Sequence, residues 1–185
     1  MRRILVVMVA VIVGAIATPA RAQGATVCRF EAQLLASPGL STTESSGTSA
    51  SDGEAGTMEC DGWVDGRQPT GPGTFGLDGR YGTSGPDSCT AGGEGDGLQS
   101  FTLPTSQGPL HIENRVTFMY DAVSEDGVIT GRFHSQRLSG TFEMVPVKGA
   151  CSGSPVTRMV IRGAGELRSG WSPRGENCGG SAASV

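Results

Sequence analysis

Residues 110–122 read LHIENRVTFMYDA, and they alternate. Leu110, Ile112, Val116, Phe118 and Tyr120 fall on one side of an extended chain; His111, Glu113, Arg115, Thr117 and Asp121 fall on the other. A period of two marks a β-strand with one face in a core and one in water. The pattern recurs along the chain. Residues 26–35 place Cys28, Phe30, Ala32 and Leu34 inward, with Arg29, Glu31 and Gln33 outward. Residues 56–65 turn Met58, Cys60 and Val64 inward, and 73–82 do the same with Phe75, Leu77 and Tyr81. A fourth strand lies within 87–103, broken by GGEGDG. Residues 127–134 and 137–146 read as a hairpin burying Ile129, Phe133, Leu138, Phe142 and Met144. Residues 155–168 bury Met159, Ile161 and Leu167.

About eight short strands with polar outer faces predict an all-β, antiparallel architecture: a small barrel, or a two-sheet sandwich. Glycine favours the barrel, although sandwiches also tolerate it. Gly62, Gly76, Gly79, Gly131, Gly140, Gly163 and Gly165 all fall inside predicted strands. Glycine there weakens a flat sheet but allows the bends and close approaches of a barrel wall. The expectation is one β domain over 23–169. Within it, 36–56, ASPGLSTTESSGTSASDGEAG, reads as a flexible loop, and 170–185, with Trp171 and Cys178, reads as a disordered tail.

The first 22 residues have the form of a cleaved export signal. Arg2 and Arg3 precede the apolar run ILVVMVAVIVGAIA, and Ala20-Arg21-Ala22 supplies a cleavage site before Gln23. An uncleaved anchor helix is the competing reading, but a proline and small residues follow the run at once. Removing Arg2, Arg3 and Arg21 leaves 11 basic against 18 acidic residues, a net charge of about −7. The basic residues are scattered, so no footprint for nucleic acid or anionic membrane is expected, and no membrane span remains after the leader. The predicted location is extracellular.

An exported chain with cysteines predicts disulfides. The candidates are Cys28, Cys60, Cys89 and Cys151, with Cys178 as the odd one. Four cysteines allow three pairings. The favoured bridge is Cys60–Cys89, whose 28 intervening residues would make it worth about 3–4 kcal/mol. Cys28–Cys151 then follows by elimination. That pair sits uneasily with an up-and-down barrel, in which the first and last strands start at opposite ends; Cys28–Cys178 would fit that topology better.

The motifs that suggest chemistry fail their contexts. GPGTFG, residues 71–76, matches a dinucleotide-binding fingerprint by letter, but a strand pattern follows it where a helix would have to start. GGEGDGLQS, 92–100, carries one imperfect copy of a calcium nonapeptide, with Glu94 and Asp96 as lone acidic turn residues. His111 and His134, the only histidines, read as a solvent-facing strand residue and a hairpin-turn residue. Glu113, Asp121 and Glu143 are carboxylates on outer faces, with few aromatics nearby for sugar stacking. No catalytic, cofactor or metal residues are assigned.

Four segments carry a resemblance: TVCRFEA, MECDGW, GRYGTSGPDSCTAGGEGDG and LSGTFEMVPVKGACSGSPVTRMVIRGAGEL. Together they resemble a class of exported, glycine-rich β-proteins of high-GC bacteria to which no activity attaches. The resemblance covers most of 26–168 and leaves Cys178 outside. The expectation is a non-enzymatic structural or surface-interaction domain, with a cell-envelope partner. The alternatives are a barrel binding a small apolar ligand and, less favoured, an enzyme. The interior residues are medium or large, so a filled barrel is expected. A cavity of ~300 Å³ would favour the ligand.

Overall fold

The structure, a computed structural model, describes residues 25–53 and 55–168. The predicted leader, the predicted tail and Cys178 lie outside the described residues. Nine strands form among the described residues: β1 (Thr26–Leu40), β2 (Gly47–Ser51), β3 (Gly56–Asp61), β4 (Gly73–Tyr81), β5 (Gly93–Leu103), β6 (Leu110–Tyr120), β7 (Ile129–Ser135), β8 (Leu138–Lys148) and β9 (Val156–Leu167). Every pairing is antiparallel, and β1 pairs with β9, from Thr26↔Leu167 to Leu40↔Val156, closing the sheet into a barrel.

The wall has eight positions. β2 and β3 share one of them, between β1 and β4. β2 pairs with the second half of β1 (Leu35↔Ala50) and β3 with the first half (Arg29↔Glu59), both in the same direction. Just past β2, Asp52 is ion-paired to Arg158 at 3.0 Å.

Residues 36–56 are therefore not a long flexible loop. β1 runs on to Leu40, and β2 is built into the wall, paired on both sides. The segment hides from a hydrophobicity reading because GTSAS turns only Ser49 into the core. GGEGDG likewise does not break a strand. β5 runs through it from Gly93, pairing with β4 and β6 along its length. The GPGTFG match leads into β4, and no helix follows it.

The inward residues form one core in which Phe30 stacks on Phe75 (centroids 4.4 Å apart) and meets Phe133 edge-on at 5.5 Å. Glycine makes this packing possible. A Cβ on Gly163 would run into the Phe30 ring, and one on Gly95 into the Phe118 ring. Each ring lies over the glycine of a neighbouring strand and covers backbone that a side chain would otherwise hold apart.

Two mouths remain, and both are shut. At the first meet the four loops 41–46, 82–92, 121–128 and 149–155, and they converge on Cys89, which is fully buried. Its N–H donates to Ser41 O at 2.8 Å, its carbonyl accepts from Val123 N at 2.7 Å, and its sulfur is bonded to Cys151. Beside it Asp87, 4 % exposed, accepts from Tyr120 Oη at 2.9 Å and Gly82 N at 2.7 Å. Burial raises the Tyr120 phenol well above its ordinary value, with Asp87 adding to the effect. Tyr81, whose hydroxyl donates to the Pro38 carbonyl, is raised by burial first and by Asp87 as well.

At the second mouth, the loop 62–72 crosses over and inserts Val64, 0 % exposed, as a peg. Thr26 Oγ1 donates to Trp63 O at 2.7 Å, Thr70 N donates to Pro104 O at 2.9 Å, and Arg137 pairs with Asp65 at 2.7 Å.

The disulfides are Cys28–Cys60 and Cys89–Cys151. Neither Cys60–Cys89 nor Cys28–Cys151 forms. Cys28 and Cys60 are direct register partners on β1 and β3, with Cα atoms 4.0 Å apart. Cys60 lies at the Val64 mouth and Cys89 at the opposite one, so the length of the barrel separates them.

Candidate functional site

A site could lie inside the barrel or on its wall. The interior is nearly full. The cavity left between Phe30, Leu77, Gln99, Val116, Phe118 and Ile161 is about 50 Å³. An apolar cavity that holds benzene is about three times as large. Gln99, a polar residue of its lining, accepts from Asn114 Nδ2 through Oε1 at 3.3 Å.

The outer wall carries a much larger depression, an open groove of about 730 Å³ across β3, β1, β9, β8 and β7. Two rows of outward residues build it, each set by strand register. One row runs Thr57, Glu31, Arg162, Glu143, Thr130; the other runs Glu59, Arg29, Ala164, Thr141, Arg132. Five strands at ~4.8 Å spacing make each row about 19 Å long. The floor is backbone at Gly131 and Gly163, backed by the rings of Phe30 and Phe142.

The groove is rich in charge and close to neutral. Arg29, Arg132 and Arg162 face Glu31, Glu59, Asp121 and Glu143, all exposed. Only one ion pair forms among them: Arg162 Nε meets Glu31 Oε2 at 2.8 Å, and this hydrogen bond raises the guanidinium further above its ordinary value. Asp121 Oδ2 accepts from Thr130 Oγ1 at 3.1 Å. Among the described residues, Arg29, Arg132, Glu59 and Glu143 enter no ion pair.

Of the residues singled out from sequence, Asp121 and Glu143 come together in this groove, and Glu113 does not; it lies on β6 opposite Ser100. Glu94 and Asp96 are not turn residues. Both stand on the outer face of β5, where Glu94 accepts from Ser84 Oγ at 2.8 Å and Asp96 holds Arg80 through two bonds of 3.0 Å. His111 is on the outer face, with Nδ1 2.9 Å from Thr102 Oγ1 across the strand pair. His134 is exposed on β7 rather than at a turn. Arg29, Arg132, Arg162 and Glu59 were legible as outward residues but not as neighbours: the β1–β3 pairing sets Arg29 against Glu59, and the β1–β9 closure brings these two beside the strands of Arg162 and Arg132.

The class that fold and groove define is a closed, disulfide-bonded eight-position barrel with a filled interior and a charged groove on its wall. Compared with known proteins, the chain matches no family model, no curated protein and no solved structure.

Proposed function

We propose that this chain is an exported, non-enzymatic β-barrel domain that acts through its outer wall on a partner in the cell envelope. The observation that carries this reading is the filled lumen: a cavity of about 50 Å³ beneath two closed mouths leaves little room for a guest. The large concavity is outside. Charged residues stand mid-wall on β1, β7, β8 and β9, which suits a wall facing water and not lipid. Two disulfides fit an oxidising compartment, as does the leader-like start of the chain. The resemblance to exported glycine-rich β-proteins points the same way.

The second reading, a small apolar ligand in the lumen, draws on the apolar character of that cavity. Titration with lauric acid and with 1-anilinonaphthalene-8-sulfonate separates the two. The outer-wall reading expects no saturable binding to the native protein. Stoichiometric binding of either probe, abolished by filling the lumen with Val116→Phe, would move the function inside.

A further inference from the structure

We infer that the groove across β3, β1, β9, β8 and β7 binds a neutral polyhydroxylated chain, an oligosaccharide. The inference rests on the reading of the outer wall as the working surface and adds the class of partner. Its first ground is charge. The groove holds three guanidiniums and four carboxylates, interleaved so that neither sign forms a continuous strip. A polyanion would meet Glu31, Glu59 and Glu143; a polycation would meet Arg29 and Arg132. A partner of either sign faces repulsion along the same 19 Å rows.

The second ground is the kind of hydrogen-bonding group left over. Arg29 and Arg132 offer only donors; Glu59 and Glu143 offer only acceptors. All four are exposed and outside any ion pair among the described residues. Arg29 stands directly opposite Glu59 in register and Thr141 directly opposite Arg132, with Ala164 between the two pairs, so each end of the row sets a donor beside an acceptor. A hydroxyl both donates and accepts, and a chain carrying several can satisfy both kinds of group without bringing charge.

The third ground is shape. The volume of about 730 Å³ lies within the range of ligand sites, and the lining extends across five neighbouring strands, as a chain requires. In the depression on the opposite wall Arg80 and Asp96 neutralise each other, which leaves a single guanidinium, Arg115, and a single carboxylate, Asp78, outside any ion pair among the described residues, against Arg29, Arg132, Glu59 and Glu143 in this groove.

The test is a nuclear magnetic resonance titration of the full chain after export. The soluble ligands are tetramers of β-1,4-linked glucose, β-1,4-linked N-acetylglucosamine and α-1,6-linked mannose. Polyglutamate, oligolysine and an uncharged peptide serve as competitors. At least one neutral tetramer should move the side-chain Nε–Hε signals of Arg29 and Arg132. Its affinity should fall at least about tenfold in R29A/R132A, stay unchanged in R80A on the opposite wall, and resist added salt. The inference is overturned if no neutral tetramer up to ~10 mM moves those signals, a concentration above ordinary weak affinities. It is also overturned if a peptide or charged polymer moves them instead, which would leave the outer-wall reading standing. Shifts confined to the lumen residues Leu77 and Val116 would remove both.

Discussion

The two mouths of the barrel are shut by different physics. At the Cys89 mouth, four hairpin loops converge on one buried residue. A covalent bond spans the opening there, and a buried carboxylate organises the tyrosines beside it. At the Val64 mouth, a single loop crosses over and is held by an apolar peg, a few hydrogen bonds and one half-buried ion pair. The first arrangement is concentrated: Cys89 ties together all four loops, and the Asp87 side chain ties its own loop to the end of β6, so losing either breaks several contacts at once. The second is distributed, and each contact is worth a modest amount.

The contrast orders a series of stability measurements by urea denaturation. The largest effect belongs to C89S/C151S, made in a C178S background to prevent thiol exchange. Its bridge has a sequence separation of 62, worth about 4.3 kcal/mol in the chain-entropy model. Cys28–Cys60, with a separation of 32 along one strand pair, is worth about 3.7 kcal/mol. Should C28S/C60S prove the more damaging, the idea that the first mouth depends on its covalent span fails. Asp87→Ala comes next, at ~3 kcal/mol, because it leaves Tyr120 Oη and Gly82 N buried without an acceptor. At the other mouth Val64→Ala should cost about 2 kcal/mol through its cavity. Arg137→Ala should cost about 1 kcal/mol, since its pair with Asp65 is only partly shielded. Equal losses from D87A and R137A would erase the distinction between the mouths.

A pH experiment sharpens the same comparison, with no effect at neutrality. Tyr81 and Tyr120 are the chain's only tyrosines, and both belong to the Cys89 mouth. Their folded-state values are raised above the unfolded value of about 10. The stability they contribute is therefore present below pH ~10 and declines as pH rises above it, because the unfolded chain releases its protons first. Absorbance at 295 nm should show no phenolate forming near pH 10 while the protein is folded, and Tyr120→Phe should flatten the alkaline decline. Ordinary titration of both tyrosines would mean this mouth is open to water.

The strands with strong apolar alternation were legible from the sequence. Phe30, Phe75, Ile112, Phe133, Phe142 and Ile161 are inward as their spacing requires. β2 was not, because a strand of small polar residues carries no hydrophobic period, and its place is set by β1 and β4 on either side. The disulfides were misassigned for a related reason. Cysteine spacing carries loop lengths but not register, and register alone sets Cys28 against Cys60. The groove was half legible: alternation puts Arg29, Glu31, Glu143 and Arg162 outside, yet their meeting depends on the pairing of the first strand with the last.

Native mass spectrometry of the protein purified from its own host bears most directly on the central claim, that the interior is packed and the working surface is outside. The account predicts a chain that retains no small molecule in its lumen and carries the two disulfides of the described barrel. A small molecule retained one per chain, and lost when the lumen is filled by Val116→Phe, would contradict it.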